Sequence, residues 1–115
     1  NLILKQQKLF LERKILMSKI YCFDIDETIC VTNGTDYEKA EPIISRINQI
    51  NSLKKAGNKI IFYTARGFVT KIDYRKVTEK QLFEWGVHYD ELYMNKPNAD
   101  VYIDDKNKDP FDWFS

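Results

Sequence analysis

The sequence predicts an α/β fold in which a small parallel sheet lies between helices in three layers. Four short apolar runs are typical of buried strands, and two stretches with helical spacing of apolar residues separate the first three of them. The order strand, helix, strand, helix, strand, strand requires crossover connections, which are right-handed in nearly all parallel sheets. The 115 residues suffice for one such domain.

Composition excludes several classes of protein. With 43% hydrophobic and 14% aromatic residues, the chain can offset the entropy cost of folding, so disorder is not expected. No apolar run reaches the roughly 18 residues of a membrane span, and no membrane partner is predicted. The net charge of +1 argues against a general nucleic-acid binder, which needs a strongly basic face, but it allows a small phosphorylated ligand.

The first seventeen residues predict an amphipathic helix. Apolar residues recur there every seven positions in two series, Leu2, Leu9 and Leu16, and Ile3, Phe10 and Met17. Because Met17-Ser18-Lys19 is typical of a translation start, we interpret 1–17 as an N-terminal helical extension and 18–115 as the domain. The helix is predicted either to cover one edge of the core or to form an oligomer contact.

The remaining elements follow in order. Strands are predicted over 19–23, 59–63, 91–94 and 99–103, and helices over 42–56 and 70–85. Pro42 suits the first turn of the first helix and Gly57 its C-terminal cap, since proline is preorganised for a helix start and glycine accepts the left-handed cap conformation. Gly86 is expected to end the second helix in the same way.

The two cysteines indicate a reducing compartment. Cys22 and Cys30 lie eight positions apart, and nothing else in the chain is typical of a disulfide framework. We therefore predict two reduced thiols and a cytoplasmic protein, with Cys22 acting as a small core side chain.

Reactive residues follow three of the four predicted strands. The first strand runs into Asp24 and Asp26, the second into Thr64, and the fourth into Asp104 and Asp105. Ligands of an open parallel sheet bind beyond the carboxyl ends of its strands, so these side chains are expected to share one site. Carboxylates cost too much to bury there without a cation or a hydrogen-bond network.

The four carboxylates predict a magnesium site and phosphoryl transfer. Carboxylates from two strand ends repel each other unless a hard divalent cation lies between them, and ligation by oxygen alone suits Mg²⁺ better than zinc. A cation, Lys96 after the third strand, and nearby hydroxyl and amide donors can hold a phosphoryl group. One carboxylate can then attack phosphorus while a second, two residues further on, protonates the leaving alkoxide.

Together these residues resemble the four motifs of the haloacid-dehalogenase-like (HAD-like) phosphatase superfamily. The matching residues are Asp24-Ile25-Asp26-Glu27-Thr28, Thr64, Lys96 and Asp104-Asp105, and the resemblance spans 20–105. A narrower resemblance, to small bacterial capsule-biosynthesis phosphatases, depends on Tyr37, Pro42, Thr64-Ala65-Arg66, Tyr89-Asp90-Glu91 and Asn95-Lys96-Pro97.

The superfamily resemblance implies a catalytic role for four residues. Asp24 would be the nucleophile that becomes an aspartyl phosphate. Asp26 would protonate the leaving group and then deprotonate the hydrolytic water, while its backbone carbonyl binds the metal. Thr64 and Lys96 would hold the oxygens of the transferring phosphoryl group, and Lys96 would also offset the charge of the nucleophile.

The resemblance also implies metal and substrate ligands. The implied Mg²⁺ ligands are Asp24, Asp26, Asp104 and Asp105, the last of these directly or through water. Two further candidates lie on the substrate side of the site. Thr28 is expected to steady the loop around Asp26, and Arg66 either contacts substrate or pairs at the surface.

The implied fold is Rossmann-like, with strands in the spatial order 4-1-2-3 and no cap domain. Larger members of the superfamily insert a cap after the first motif or between the second and third, but here 29–59 and 67–91 are each filled by a loop and a helix. Exclusion of water strengthens electrostatic catalysis. We therefore expect a homo-oligomer, formed through the N-terminal helix or the C-terminal tail (110–114), to cover the open site.

The implied function is Mg²⁺-dependent hydrolysis of a phosphate monoester. The expected substrate is a sugar phosphate or another small phosphorylated precursor of surface polysaccharide. Two alternatives stay open. One is a nucleotide or polynucleotide 3′-phosphatase, against which the balanced charge argues. The other is a module that binds a phosphorylated ligand without catalysis, against which the complete set of catalytic residue types argues.

Overall fold

The structure is a computed structural model that describes the backbone of the whole chain and the side chains of 1–12 and 18–115. The helices are α1 (Leu2–Met17), α2 (Ile44–Lys55), α3 (Arg75–Glu84) and α4 (Pro110–Phe114), with one 3₁₀ turn at Tyr37–Lys39. The strands are β1 (Ile20–Phe23), β2 (Cys30–Val31), β3 (Glu41–Pro42), β4 (Lys59–Tyr63) and β5 (Glu91–Tyr93).

A three-stranded parallel sheet in the order β1-β4-β5 organises the fold. The central strand, β4, pairs with both neighbours, and its Phe62 lies opposite Phe23 of β1 and Leu92 of β5. This confirms a mixed α/β fold with a small parallel sheet. Because the strands are parallel, their carboxyl ends meet at one edge of the sheet.

The hydrophobic core forms around β4. Ile60 and Phe62 alternate with less buried neighbours and are fully buried, as the two-residue period of a strand requires. Ile47 and Ile50, three residues apart on α2, and Leu82 of α3 are also buried. These buried side chains belong to one hydrophobic cluster, which holds α2 and α3 against the sheet.

The predicted strand over 99–103 is not formed, so that prediction was wrong. Ile103 is 95% exposed. The Tyr102 hydroxyl donates to the Pro97 carbonyl and accepts from the Ala99 N–H, so these hydrogen bonds are local, within 97–102. Such local side-chain bonds compete with a strand ladder. The predicted four-strand order 4-1-2-3 is therefore not confirmed beyond the observed three strands.

Two predicted helix starts were also wrong. Pro42 lies in β3 opposite Cys30, and the N–H of Ile43 donates to Ile29 O at 2.8 Å, so α2 begins only at Ile44. The second helix begins at 75 rather than 70. The residues before it form a turn in which the Lys71 N–H donates to Gly67 O at 2.9 Å.

We expect Gly67→Ala to destabilise the fold by roughly 2 kcal/mol or more. Gly67 has φ +85°, and a Cβ there would lie 2.2 Å from the backbone oxygen of Ile72. The matched control is Gly34→Ala, at φ +59° but with no atom within 4 Å of the added Cβ. Urea unfolding should show the larger loss for Gly67→Ala, and equal losses would contradict the close backbone approach.

The two terminal helices differ in how they meet the core. Side chains 1–12 of α1 are exposed, so this part of the helix does not cover the core, whereas Leu16 and Met17 lie outside the described side chains. In α4, the Trp113 ring lies 5.3 Å from that of Phe23, and Gln49 donates to Phe114 O. An oligomer contact through either helix stays a prediction. Among the described residues, the helices lack the length and apolarity to cross a membrane.

Candidate active site

The candidate site lies where the three parallel strands end. Asp24 follows β1, Thr64 follows β4, and Lys96 lies three residues beyond β5. Backbone pairing continues past the strands, because the Thr64 N–H donates to Tyr93 O at 2.9 Å and the Lys96 N–H donates to Thr64 O at 3.2 Å. This pairing fixes the backbone of Lys96 beside Thr64.

Asp24 and Lys96 form an ion pair at this edge. Lys96 Nζ lies 3.3 Å from Asp24 Oδ2, and Asp24 Oδ1 accepts from the Ile25 N–H at 2.8 Å. The Asp24 side chain is 38% exposed and that of Lys96 19%. Burial raises the pKa of the Asp24 carboxyl above its usual value, and the Lys96 ammonium opposes that shift. Asp24 is thus a partly accessible carboxylate beside one cation.

Asp26 lies at the start of a tight turn that follows β1. Glu27 has φ 63°, which is uncommon for a residue with a side chain. The Glu27 N–H donates to Cys30 O at 2.9 Å, and the Thr32 N–H donates to Glu27 Oε1 at 2.9 Å. These two bonds hold the left-handed conformation. No pattern in the sequence marks Glu27, a residue other than glycine, for this positive φ.

The Asp26 carboxylate accepts hydrogen bonds at both oxygens. Arg66 donates from Nε to Oδ2 at 3.0 Å and from Nη2 to Oδ1 at 2.9 Å. The Thr32 hydroxyl donates to Oδ1 at 2.5 Å. The Asp26 side chain is 23% exposed, whereas that of Arg66 is fully buried. Asp26 therefore lies between solvent and a buried guanidinium.

Arg66 is enclosed on its other side. Its Nη1 donates to Thr78 Oγ1 at 3.1 Å and to Gln81 Oε1 at 2.6 Å, and its guanidinium carbon lies 4.8 Å from the Tyr37 ring centroid. The sequence predicted either a substrate contact or a surface pair, and the structure shows a buried pair. Thr78 and Gln81 were not identified from the sequence as residues of the site. The signal that could have identified them is a pair of polar residues at helical spacing on the buried face of α3.

The two threonines predicted for the site are buried. Thr64 Oγ1 accepts from the Arg66 N–H at 3.2 Å, and the Thr64 side chain is fully buried. Thr28 donates its N–H to Ile25 O at 3.1 Å, and its carbonyl accepts from Arg46 at 3.0 Å. Thr28 is therefore a buried residue of the loop that contains Asp26.

Asp104 and Asp105 are not brought to the other carboxylates. Both are exposed, and Asp104 accepts from the Lys106 N–H at 2.9 Å, a bond that lowers the pKa of the Asp104 carboxyl. Within the described part of the chain, no group of three or more histidine, cysteine or acidic side chains could hold a metal ion. The structure thus joins Asp24 with Lys96, and Asp26 with Arg66, but leaves Asp104 and Asp105 apart.

Both cysteines are free thiols, as the sequence predicts. Cys30 is buried, and burial raises its pKa to about 11, so the thiol stays protonated at neutral pH. Cys22 is exposed, contrary to the prediction that it fills the core. Ile20 lies two residues earlier on the same face of β1 and is also exposed, so this face of the strand is not covered by other elements.

Comparison with known proteins shows a shared fold. No family model matches the chain, and no curated protein does. A crystal structure of a structural-genomics target from Vibrio cholerae is similar with a TM-score of 0.77, at 28% identity over 86% of this chain and 89% of that one. The Pnkp1/Rnl/Hen1 complex is similar with a TM-score of 0.54, at 28% identity over 80% of this chain but only 30% of the chain it matches.

Proposed function

We propose that this chain is a HAD-like phosphatase that hydrolyses small phosphate monoesters through an aspartyl phosphate on Asp24. The observation that carries the proposal is the 3.3 Å contact between Lys96 Nζ and the partly exposed Asp24 carboxylate, at the edge where three parallel strands end. A carboxylate can act as a covalent nucleophile, and a lysine beside it can bind the phosphoryl oxygens as they approach.

The reaction divides into two displacements. First, an Asp24 oxygen attacks phosphorus, the bond from phosphorus to the ester oxygen breaks, and Asp26, which enters this step as the protonated acid, gives that oxygen its proton and becomes a carboxylate. Next, water attacks phosphorus, passes a proton to the Asp26 carboxylate, and releases inorganic phosphate as the bond to Asp24 breaks. The chain ends unchanged, and ester plus water become alcohol plus phosphate. Lys96 balances negative charge in both displacements.

Mg²⁺ dependence belongs to the proposal and is supported by the acidic residues of the sequence. Those residues do not fit a magnesium site in this structure, because Asp104 and Asp105 are exposed and no group of three or more acidic, histidine or cysteine side chains among the described residues could hold a metal ion. A hard cation requires several oxygen ligands at once. No step above is therefore routed through a metal.

The expected substrate is small and carries one phosphoryl group. The connections between the sheet strands hold only short elements, β2, β3 and two helices, so no inserted domain of this chain covers the edge. The net charge of +1 gives little attraction for a polyanion. The near-neutral charge supports a small ester, such as a sugar phosphate or a similar precursor of surface polysaccharide, over a nucleic acid.

A phosphate-release screen tests the proposal. Purified protein is incubated with sugar phosphates, nucleotides and a 3′-phosphorylated oligonucleotide, with Mg²⁺ or after EDTA. We expect release from one or more sugar phosphates, loss with EDTA and recovery with excess Mg²⁺. Release from the oligonucleotide alone would favour the polynucleotide alternative. No release from any ester in Mg²⁺ would overturn the enzymatic proposal.

A further inference from the structure

We propose that Arg66 is a positioning residue, which holds the Asp26 carboxyl group in the orientation from which its protonated form donates to the leaving group. The inference rests on the proposed function, because it assigns Arg66 a part in that same reaction. It replaces the two sequence-based alternatives for Arg66, a substrate contact and a surface pair.

The geometry of the pair fixes the carboxylate in two directions. Arg66 donates to both Asp26 oxygens from two different nitrogens, at 3.0 and 2.9 Å. A planar guanidinium presents its N–H groups in a rigid fork, so a bidentate pair restrains both the position and the rotation of the carboxylate. A single lysine ammonium would supply the charge without this restraint.

Arg66 is itself held by neighbouring groups and has no free face for a substrate. Its Nε and Nη2 donate to Asp26, and its Nη1 donates to Thr78 and Gln81. The Tyr37 ring lies 4.8 Å from the guanidinium carbon. Because the Arg66 side chain is fully buried, a substrate would reach it only after Asp26 had moved.

Fold stability alone is a weak reason for such a pair. A buried ion pair loses the hydration of both charges, and replacing it by apolar side chains is often neutral or stabilising. Here the pair joins a fully buried arginine to a carboxylate that reaches solvent at the edge of the sheet. A requirement for one orientation of Asp26 explains why the charge is retained there.

The restraint extends to two other elements. Gln81 of α3 accepts from Arg66 and donates from its own amide to the Tyr37 carbonyl at 2.5 Å. One side chain therefore ties α3, the 3₁₀ turn and Arg66 together. Thr78, three residues earlier on the same helix, supplies the second acceptor. The position of Asp26 is thus set by α3 as well as by its own loop.

The test compares two ester types that differ in their need for a proton donor. An alkyl phosphate has a poor leaving group that must be protonated, whereas the dinitrophenolate of 2,4-dinitrophenyl phosphate departs without one. Because the second displacement also uses Asp26 and is common to both esters, the comparison is made on kcat/KM, which covers only the steps up to departure of the leaving group. We expect Arg66→Lys to lower kcat/KM on the alkyl ester by about 10²-fold and on the aryl ester by less than tenfold. Asp26→Asn should show the same split.

Two further variants sharpen the test. Because Arg66 acts through Asp26, Arg66→Lys combined with Asp26→Asn should lose no more alkyl-ester activity than Asp26→Asn alone. If Arg66→Lys fails to fold, Thr78→Val removes one acceptor of the guanidinium and should show a smaller loss with the same ester split. The control is Arg75→Lys, which changes an arginine paired with Glu79 on α3 and should keep both rates.

The outcomes are distinct. Equal losses on both esters with a raised KM would assign Arg66 to substrate binding and overturn the positioning role, as would additive losses in the double variant. A wild-type protein that hydrolyses neither ester with Mg²⁺ would overturn the proposed function itself. Activity of the wild type on both esters without the expected split in Arg66→Lys would overturn only this inference.

Discussion

Asp24→Asn is expected to lower phosphate release by roughly 10³-fold or more, the largest effect of any single substitution on activity. Asparagine has the size of aspartate and keeps an oxygen that can accept from the Ile25 N–H, so the end of β1 should retain its shape. It has no carboxylate to attack phosphorus, and it leaves Lys96 without its ion-pair partner. The measurement is the initial rate of phosphate release with Mg²⁺ on the best ester of the screen.

The matched control for this substitution is Asp36→Asn. This variant makes the same substitution, aspartate to asparagine, in an exposed ion pair in which Asp36 lies 3.5 Å from Lys39. Exposed ion pairs contribute little to stability. We expect the control to keep the wild-type rate and both variants to unfold at about the wild-type urea concentration. If Asp24→Asn retains the wild-type rate, Asp24 is not the nucleophile and the covalent mechanism is wrong.

Phe62→Ala is expected to cost the largest amount of stability, about 3–5 kcal/mol. Phe62 is fully buried in the central strand, with ring centroids 6.0 Å from Phe23 and 5.8 Å from Tyr89. Truncation removes apolar contacts on both sides of β4 and leaves a cavity that close-packed neighbours fill only in part. Urea-induced unfolding followed by circular dichroism measures the loss.

Phe83→Ala is the control for the core substitution. Phe83 lies on α3 and is 85% exposed, so its truncation should change the free energy of unfolding by no more than about 0.5 kcal/mol. The same residue type is removed in both variants, so the difference between them reports burial. Similar losses for both would contradict the central position of Phe62 in the core.

Much of the sheet could be predicted from local pattern. The apolar runs ending at Phe23 and Tyr63 became β1 and β4, and the third run became β5, because short apolar segments between turn residues have few other stable conformations. Parallel pairing then brings Asp24 beside Lys96, although the two residues are 72 positions apart. That geometry follows from the sheet, which the sequence predicted.

The segment after β5 shows where local pattern was insufficient. Val101, Tyr102 and Ile103 form an apolar run like the others, yet they lie exposed outside the sheet. A fourth strand of the parallel sheet needs a partner edge, and its pairing competes with the local bonds that Tyr102 makes. The sequence alone does not show whether strand pairing or the local hydrogen bonds of Tyr102 give the lower free energy.

The amino-acid sequence alone determines the order of β1, α2, β4, α3 and β5, the ends of these three strands and the residue types that follow them, because each depends on neighbours along the chain. Only the tertiary structure decided that Arg66 is buried beneath Asp26, that Glu27 takes a left-handed conformation, and that Asp104 stays apart. Those outcomes depend on hydrogen bonds and desolvation between residues distant in sequence, and such energies exist only once the elements are packed.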